Sequence, residues 1–245
     1  FYPTSVMETG ADILFFWVAR MIMLGLYRAK KIPFKTVYLH GLVRDKDRQK
    51  MSKSKGNVID PLGVAEEYGA DAVRAALVAG VTPGTDTAIS EDKIRGYRNF
   101  TTKLWNIARF ISLQIQNDAE NSQAREDNLR KSASYLRLSA IKKKVAKHLE
   151  SFELHLALET AYHYIWHEFA DKIIEESKPV LQNGNQKEKT TTLKLLTVIL
   201  EECLIMLHPF MPFVTEEIYQ HFNSTIETKN ANINNIKLLM AKNWQ

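Results

Sequence analysis

Along the chain, blocks whose apolar residues recur every three or four positions alternate with short polar breaks rich in glycine, proline and lysine. The first block, Ala11 to about Lys30, has helical spacing, with Asp12 near its start and Lys30 and Lys31 near its end, the order a helix dipole favours. Its apolar run, Ile13 to Tyr27, is interrupted by Arg20. Neither piece reaches the roughly 20 residues of a bilayer span, so the pattern predicts a buried helix. Pro33 ends it. Thr36 to His40 is β-branched and aromatic and predicts a buried strand of a sheet that begins outside this stretch.

Beyond a lysine-rich break, Asp60-Pro61 predicts an N-cap with proline at the first helical position, and Gly69 ends the short helix Leu62 to Tyr68. Asp71 is expected to cap a second helix reaching Ala79. Thr82-Pro83-Gly84-Thr85 punctuates the chain ahead of a domain junction before Ser90. From there helical spacing dominates. Ile94, Tyr97, Leu104, Ala108, Ile111 and Ile115 mark one long helix, and a polar stretch from Gln116 to Lys131 predicts a loop. Leu138 to Leu149 and Leu158 to Ile173 mark two more helices. Lys178 to Lys189 reads as a connector, Thr191 to Leu207 as a fourth helix, and Thr215 starts a short fifth after Pro209 and Pro212. Antiparallel packing of such helices makes a bundle. The asparagine-rich tail from Asn223 to Asn235 shows no period.

Composition narrows the class. At 245 residues and 45% hydrophobic, the chain can bury two ordinary cores, and its net charge of +5 suits a polyanionic partner. The single cysteine, Cys203, falls in the apolar pattern of Leu200, Leu204 and Leu207 and reads as a small buried hydrophobe. One cysteine permits no intrachain disulfide and predicts no disulfide-linked partner. No Cys/His cluster has metal spacing, and a reducing, cytoplasmic compartment fits. The start at Phe1, without methionine or a basic leader, reads as a cut through a longer protein.

The candidate chemistry sits in Lys50-Met51-Ser52-Lys53-Ser54-Lys55-Gly56-Asn57, where three lysines and two serines crowd a segment with little to bury. From Arg44 to Lys55 six basic residues face only Asp45 and Asp47, a positive field that would draw a polyphosphate. Lysine ammoniums are flexible point charges able to stabilise charge growing on phosphate oxygens, and Gly56 lets the backbone turn tightly. Taken alone, such a charge run reads first as a solvated surface turn.

The whole string KMSKSKGNVIDP, with HGLVRD before it, Tyr68-Gly69-Ala70-Asp71-Ala72 after it and LHPFMPFVTEEIY near the end, resembles the class I aminoacyl-tRNA synthetases. ETGADILFFWVARMIMLGLY followed by HGLVRD is most similar to the members that take valine, with isoleucine- and leucine-specific relatives as the alternative. The resemblance implies a mainly α chain: the closing part of a Rossmann-like α/β nucleotide-binding fold over residues 1–85, then an α-helical bundle that binds the anticodon over 86–223. Residues 224–245 form a tail about which little is implied.

It further implies ATP, Mg²⁺ brought with it, valine and tRNA(Val) as partners, and no membrane. Lys50 and Lys53 would be catalytic, with His40, Gly41, Val43, Met51, Ser52 and Ser54 joining them around ATP. Asp12 and Trp17 would line the amino-acid pocket. Arg95, Asn99, Lys103, Asn106 and Trp166 would meet tRNA. Each has a plainer reading: His40 and Trp17 as packed residues, Asp12 as a helix-start carboxylate, the α-helical face from Arg95 to Asn106 as solvated, Trp166 as core. The threonines of Thr82-Pro83-Gly84-Thr85-Asp86-Thr87 depart from the basic residues that many of these relatives carry there. A His-Ile-Gly-His motif and an editing domain are absent from these residues, which implies that this stretch alone neither activates an amino acid nor proofreads. A non-catalytic tRNA-binding module that retains the lysine string is the competing reading.

Overall fold

The computed structural model describes residues 2–117, 129, 131–227, 238–242 and 244, and they form two compact units. The first comprises residues 1–60 and 80–91, the second residues 61–79 and 92–245. Packing units therefore interleave along the chain.

The first unit is built on a β–α–β crossover. Strand β1 (Thr4–Gly10) and strand β2 (Phe34–His40) pair in parallel, from Thr4 opposite Phe34 to Gly10 opposite His40. Helix α1 (residues 14–29) joins them and ends at Lys30, whose φ of 55° reverses the chain. Strand β1 has no counterpart in the sequence expectation, because Thr-Ser-Val-Met-Glu-Thr-Gly alternates only weakly. Two expectations of burial are corrected. Along α1 only Val18 is buried, while Phe15, Phe16, Met23, Leu24 and Tyr27 are exposed. In β2 only Phe34 is buried. Periodicity identifies an apolar face, and no described element of this unit covers that one.

Strand β3 (Val43–Arg44) pairs in parallel with β4 (Thr87–Ala88). Asp86 locks this second crossover: its carboxylate accepts from the Leu42 amide at 2.8 Å and from the Arg44 guanidinium. Those two bonds, the amide first, hold the Asp86 carboxyl below the usual carboxylate range.

The second unit is a helical bundle. Helices α2 (Pro61–Tyr68) and α3 (Ala70–Val78) are followed by α4 (Glu91–Asn117) and α5 (Ala133–Glu150). Helix α6 (residues 154–183) is continuous, widened to i→i+5 bonding over Tyr164–Ile174, and Pro179 lies inside it. Helix α7 (Gln186–Leu207) and helix α8 (Pro212–Glu227) close the bundle. The connector expected over Lys178 to Lys189 shrinks to Gly184 and Asn185. Asn185 and Glu188 form a reciprocal capping box that starts α7 at once. Most of the predicted loop after Gln116 lies outside the described residues, as does 228–237 of the tail. Leu239 nonetheless packs into the core, and Lys242 reaches back to pair with Glu201.

The core holds Phe100, Leu104, Ile111, Leu158, Ile165, Phe169, Leu200 and Cys203 at 0% exposure, so the cysteine packs as expected. Full burial pushes its thiol pKa up. No described helix is long and apolar enough to cross a membrane.

Asp71 does not cap its own helix, whose N-cap is Gly69 at a φ of 90°. Its carboxylate, on a residue only 5% exposed, instead accepts from the backbone amides of Phe213 at 3.3 Å and Val214 at 2.6 Å, in the first turn of α8. One turn along α3, Arg74 donates to the carbonyls of Phe210 and Pro209 at 3.2 Å each. Desolvation outweighs the two amides, so the Asp71 carboxyl sits above the usual carboxylate range. Asp71→Ala orphans two helix-terminal amides, and urea unfolding should report a loss of about 1–3 kcal/mol. Asp71→Asn, which keeps an acceptor without the buried charge, should recover more than half of it.

Candidate functional site

The carboxyl ends of parallel strands are where α/β folds gather ligands, and the first unit concentrates polar groups there. His40 ends β2. Its Nδ1 donates to the Gly41 carbonyl at 2.9 Å and its Nε2 faces a Glu8 carboxylate oxygen at 3.3 Å. A methyl placed on Gly10, opposite His40, would lie 2.6 Å from Asp12 Oδ1 and 3.6 Å from the His40 ring. Asp12 and His40 thus overhang a strand end that has no room for a side chain. Glu8 was not anticipated; only its pairing register across the sheet reveals it.

Gly41 has a reason of its own. A Cβ there would lie 2.1 Å from the Thr85 carbonyl oxygen and 2.4 Å from the Asp86 nitrogen. Gly84, at a φ of 73°, turns the chain that makes this approach, and its amide donates to the Leu39 carbonyl. Val43 is 40% exposed within the short β3 ladder, and Trp17 is 49% exposed on α1.

The lysine string is a turn braced by its own side chains. Asp45 Oδ1 accepts from the amides of Asp47 at 3.1 Å and Gln49 at 2.7 Å, and Oδ2 accepts from the Asn57 side-chain amide at 2.8 Å. Asn57 accepts in turn from the Ser52 amide at 2.9 Å and donates to the Lys50 carbonyl at 3.3 Å. Arg48, at a φ of 59°, and Gly56, at 66°, supply the reversals, and Arg44 bridges Lys50 across the base. Ser52 and Ser54 bring their hydroxyls within 3.1 Å. One acid and one amide therefore hold the backbone. Lys50 and Ser54 stand exposed and Met51 is half-buried. These bonds, Asn57 first, hold the Asp45 carboxyl below the usual carboxylate range.

In the second unit, Asn99, Lys103 and Asn106 recur at four and three residues along α4 and line one groove against α6. The groove encloses about 520 Å³, and Phe110, Asp171 and Lys178 also border it. Lys103 is anchored: its ammonium bonds Asp171 at 2.6 Å and lies 4.2 Å from the centroid of the Trp166 ring. That bond holds the Asp171 carboxyl below the usual range. Trp166 is half-buried and stacks on Tyr162 at 5.6 Å and Phe100 at 6.0 Å. Arg95 stands outside the groove and pairs with Asp92 at 3.0 Å. Phe110 was not anticipated, although its four-residue step from Asn106 would have placed it. Among the described residues, no three acidic, cysteine or histidine side chains cluster so as to hold a metal.

Three comparisons bear on these sites. Residues 1–90 match the family of class I tRNA synthetases (I, L, M and V), and residues 135–245 match the anticodon-binding domain of tRNA ligase. The chain is 44% identical to a valine–tRNA ligase of Clostridium tetani, over 93% of this chain and 26% of that protein. To the valine–tRNA ligase of Syntrophotalea carbinolica it is 48% identical, over 90% of this chain and 25% of that protein. The chain therefore spans about a quarter of the curated relatives it matches. Among solved structures, the ternary complex of Agrobacterium radiobacter K84 LeuRS with tRNA and LeuAMS superposes with a TM-score of 0.71. It covers 99% of this chain and 28% of that one at 20% identity. Methionyl-tRNA synthetase of Mycobacterium tuberculosis in complex with methionyl-adenylate gives 0.70 at 23%, covering 89% and 44%. At such identities the likeness is one of fold.

Asp45 gives the turn a pH signature. Its carboxyl lies lower in the folded chain than in the unfolded one, so its support is complete above the ordinary carboxylate value and is lost as pH falls through the depressed one. Amide exchange at Gln49 and Ser52 should stay slow through neutral pH and mild acid and accelerate only below that value. Asn57→Ala should speed exchange at Ser52 already at neutral pH, while an unchanged rate would show that the turn does not depend on this brace.

Proposed function

Because the chain carries a class I tRNA synthetase segment joined to a tRNA-ligase anticodon-binding domain, we propose that it is part of a valine–tRNA ligase. Residues 1–85 would contribute to the catalytic domain and 86–223 would bind the anticodon, with 224–245 as a tail. The reaction joins valine to ATP and then esterifies a tRNA. In the first step a valine carboxylate oxygen forms a bond to the α-phosphorus. The bond from that phosphorus to the bridging oxygen breaks, and pyrophosphate leaves with the electron pair. In the second, a hydroxyl of the terminal ribose of tRNA(Val) takes the valyl group and AMP departs.

The observation that carries this reading is the braced lysine turn on the same unit as the polar strand ends. Lys50 and Lys53 would neutralise charge on the departing phosphates, a stabilisation concentrated in the transition state. Met51, Ser52 and Ser54 would complete the phosphate side. His40, Gly41 and the main chain near Val43 would take adenosine, and Asp12 with Trp17 would take valine. Mg²⁺ would arrive with the nucleotide and share its phosphate charge. In the second unit Arg95, Asn99, Lys103, Asn106 and Trp166 would meet tRNA, with amides and cations on sugar and phosphate. The valine assignment rests on the relatives' identity over nearly the whole chain. A cytoplasmic setting goes with it.

ATP–pyrophosphate exchange by the full-length protein, run with a panel of amino acids, tests substrate and reaction together. Valine should dominate isoleucine and leucine. Lys53→Ala should lower the activation rate about 100-fold or more while valine affinity changes little; matched losses in both would remove the transition-state role. In this chain, Lys103→Ala should weaken binding of a valine-acceptor tRNA, read by filter binding. Undiminished binding would place the RNA elsewhere.

A further inference from the structure

A second stripe of α4, rotated roughly a third of a turn from the Asn99–Lys103–Asn106 groove, carries Trp105, Arg109, Ser112 and Gln116 at steps of four, three and four residues. With Ile218 and His221 of α8 they line a recess of about 340 Å³, a size at the small end of ligand pockets. The indole of Trp105 is 39% exposed and lies nearly parallel to the His221 ring, 6.2 Å away at 21°.

Four polar side chains around this recess make no hydrogen bond among the described residues. Ser112 is 4% exposed, and its buried hydroxyl has no hydrogen bond. The Trp105 indole N–H, the Arg109 guanidinium and the Gln116 amide likewise have no hydrogen bond or ion pair among the described residues. Four donors therefore converge beside one exposed aromatic face, with no carboxylate among the lining residues. Of these only the Ser112 hydroxyl is buried, and a buried hydroxyl normally finds a partner, which an occupant of the recess would supply. Arg109 and Gln116 are exposed and free to meet a ligand. An apolar protein segment would cover the ring and leave the donors unsatisfied. An unpaired nucleotide meets three of the four donors and covers the ring: a planar face for the indole, edge acceptors for the amide and hydroxyl, and a phosphate for the guanidinium.

We propose that the recess between α4 and α8 binds an unpaired nucleotide of an RNA chain, stacked on Trp105, edge-bonded by Gln116 and Ser112, with its phosphate on Arg109. This would be a second RNA contact, separate from the α4–α6 groove, and it rests on the reading that tRNA is the partner.

The test is filter binding of a valine-acceptor tRNA transcript to this chain across a salt series, with circular dichroism confirming that each variant melts like the parent. Trp105→Ala should raise the Kd roughly 5–50-fold, and Trp105→Phe should restore most of the loss. Arg109→Ala should weaken binding several-fold and reduce the slope of log Kd against log salt by about one. A transcript containing 4-thiouridine should crosslink to peptides of α4 and α8. If the parent chain does not bind tRNA, the tRNA reading falls and the recess with it. If Lys103→Ala weakens binding while Trp105→Ala and Arg109→Ala do not, the recess alone is refuted. Protection of the recess from hydrogen exchange in RNA-free full-length protein, unchanged on adding tRNA, would also refute it, because a protein segment would then be the occupant.

Discussion

A carboxylate that caps a helix other than its own organises the bundle. Asp71 lies in the first turn of α3, yet it satisfies the amides that open α8, more than a hundred residues later. Arg74, on the same helix, takes up the carbonyls just before that point. The two charges thus straddle the break at Pro209 to Pro212 and fix where α8 starts and which way it leaves. Burial keeps the carboxyl above the usual carboxylate range despite its two amide hydrogen bonds. The Asp71 carboxylate fixes a position as well as satisfying two amides. It joins a helix from the early part of the chain to the last long helix and so defines the frame in which α4 is presented to α6 and α8.

The lysine turn solves a different problem with similar means. Mutually repelling ammoniums oppose compaction, so the backbone has to be held by other groups. Asp45 and Asn57 do this with four hydrogen bonds to backbone groups and one to each other. Under the proposed function, cations already held together would not have to be gathered as phosphate charge develops, which is how electrostatic stabilisation becomes effective. Six basic residues within twelve positions would otherwise be a diffuse cloud.

Much of the helical half was legible because core positions such as Leu104, Ile111, Leu158 and Leu200 repeat at helical intervals and the structure buries them. The connector expected over Lys178 to Lys189 misled: the helix runs through Pro179 and ends at Gly184, where a Cβ would meet the Val180 carbonyl at 2.5 Å. Asp71 misled in the same way, since Gly-Ala-Asp looks like a local cap and nothing in the string names a helix so distant. The exposure of α1 was illegible in principle, because a period records a face and not what lies against it. In the candidate site the lysines were plain from charge density. Glu8, Asp45 and Asn57 were not, since their roles come from pairing register and turn closure.

The steric collision at Gly41 has a bearing on how sequences of this kind should be compared. The neighbouring backbone at Thr85 and Asp86 forbids any side chain there, whatever may or may not rest against the opposite surface. Invariance at this column of an alignment would follow from chain self-avoidance alone and would carry no information about nucleotide contact. Inference about the ligand has to draw on neighbouring positions where a larger residue could physically have been accommodated.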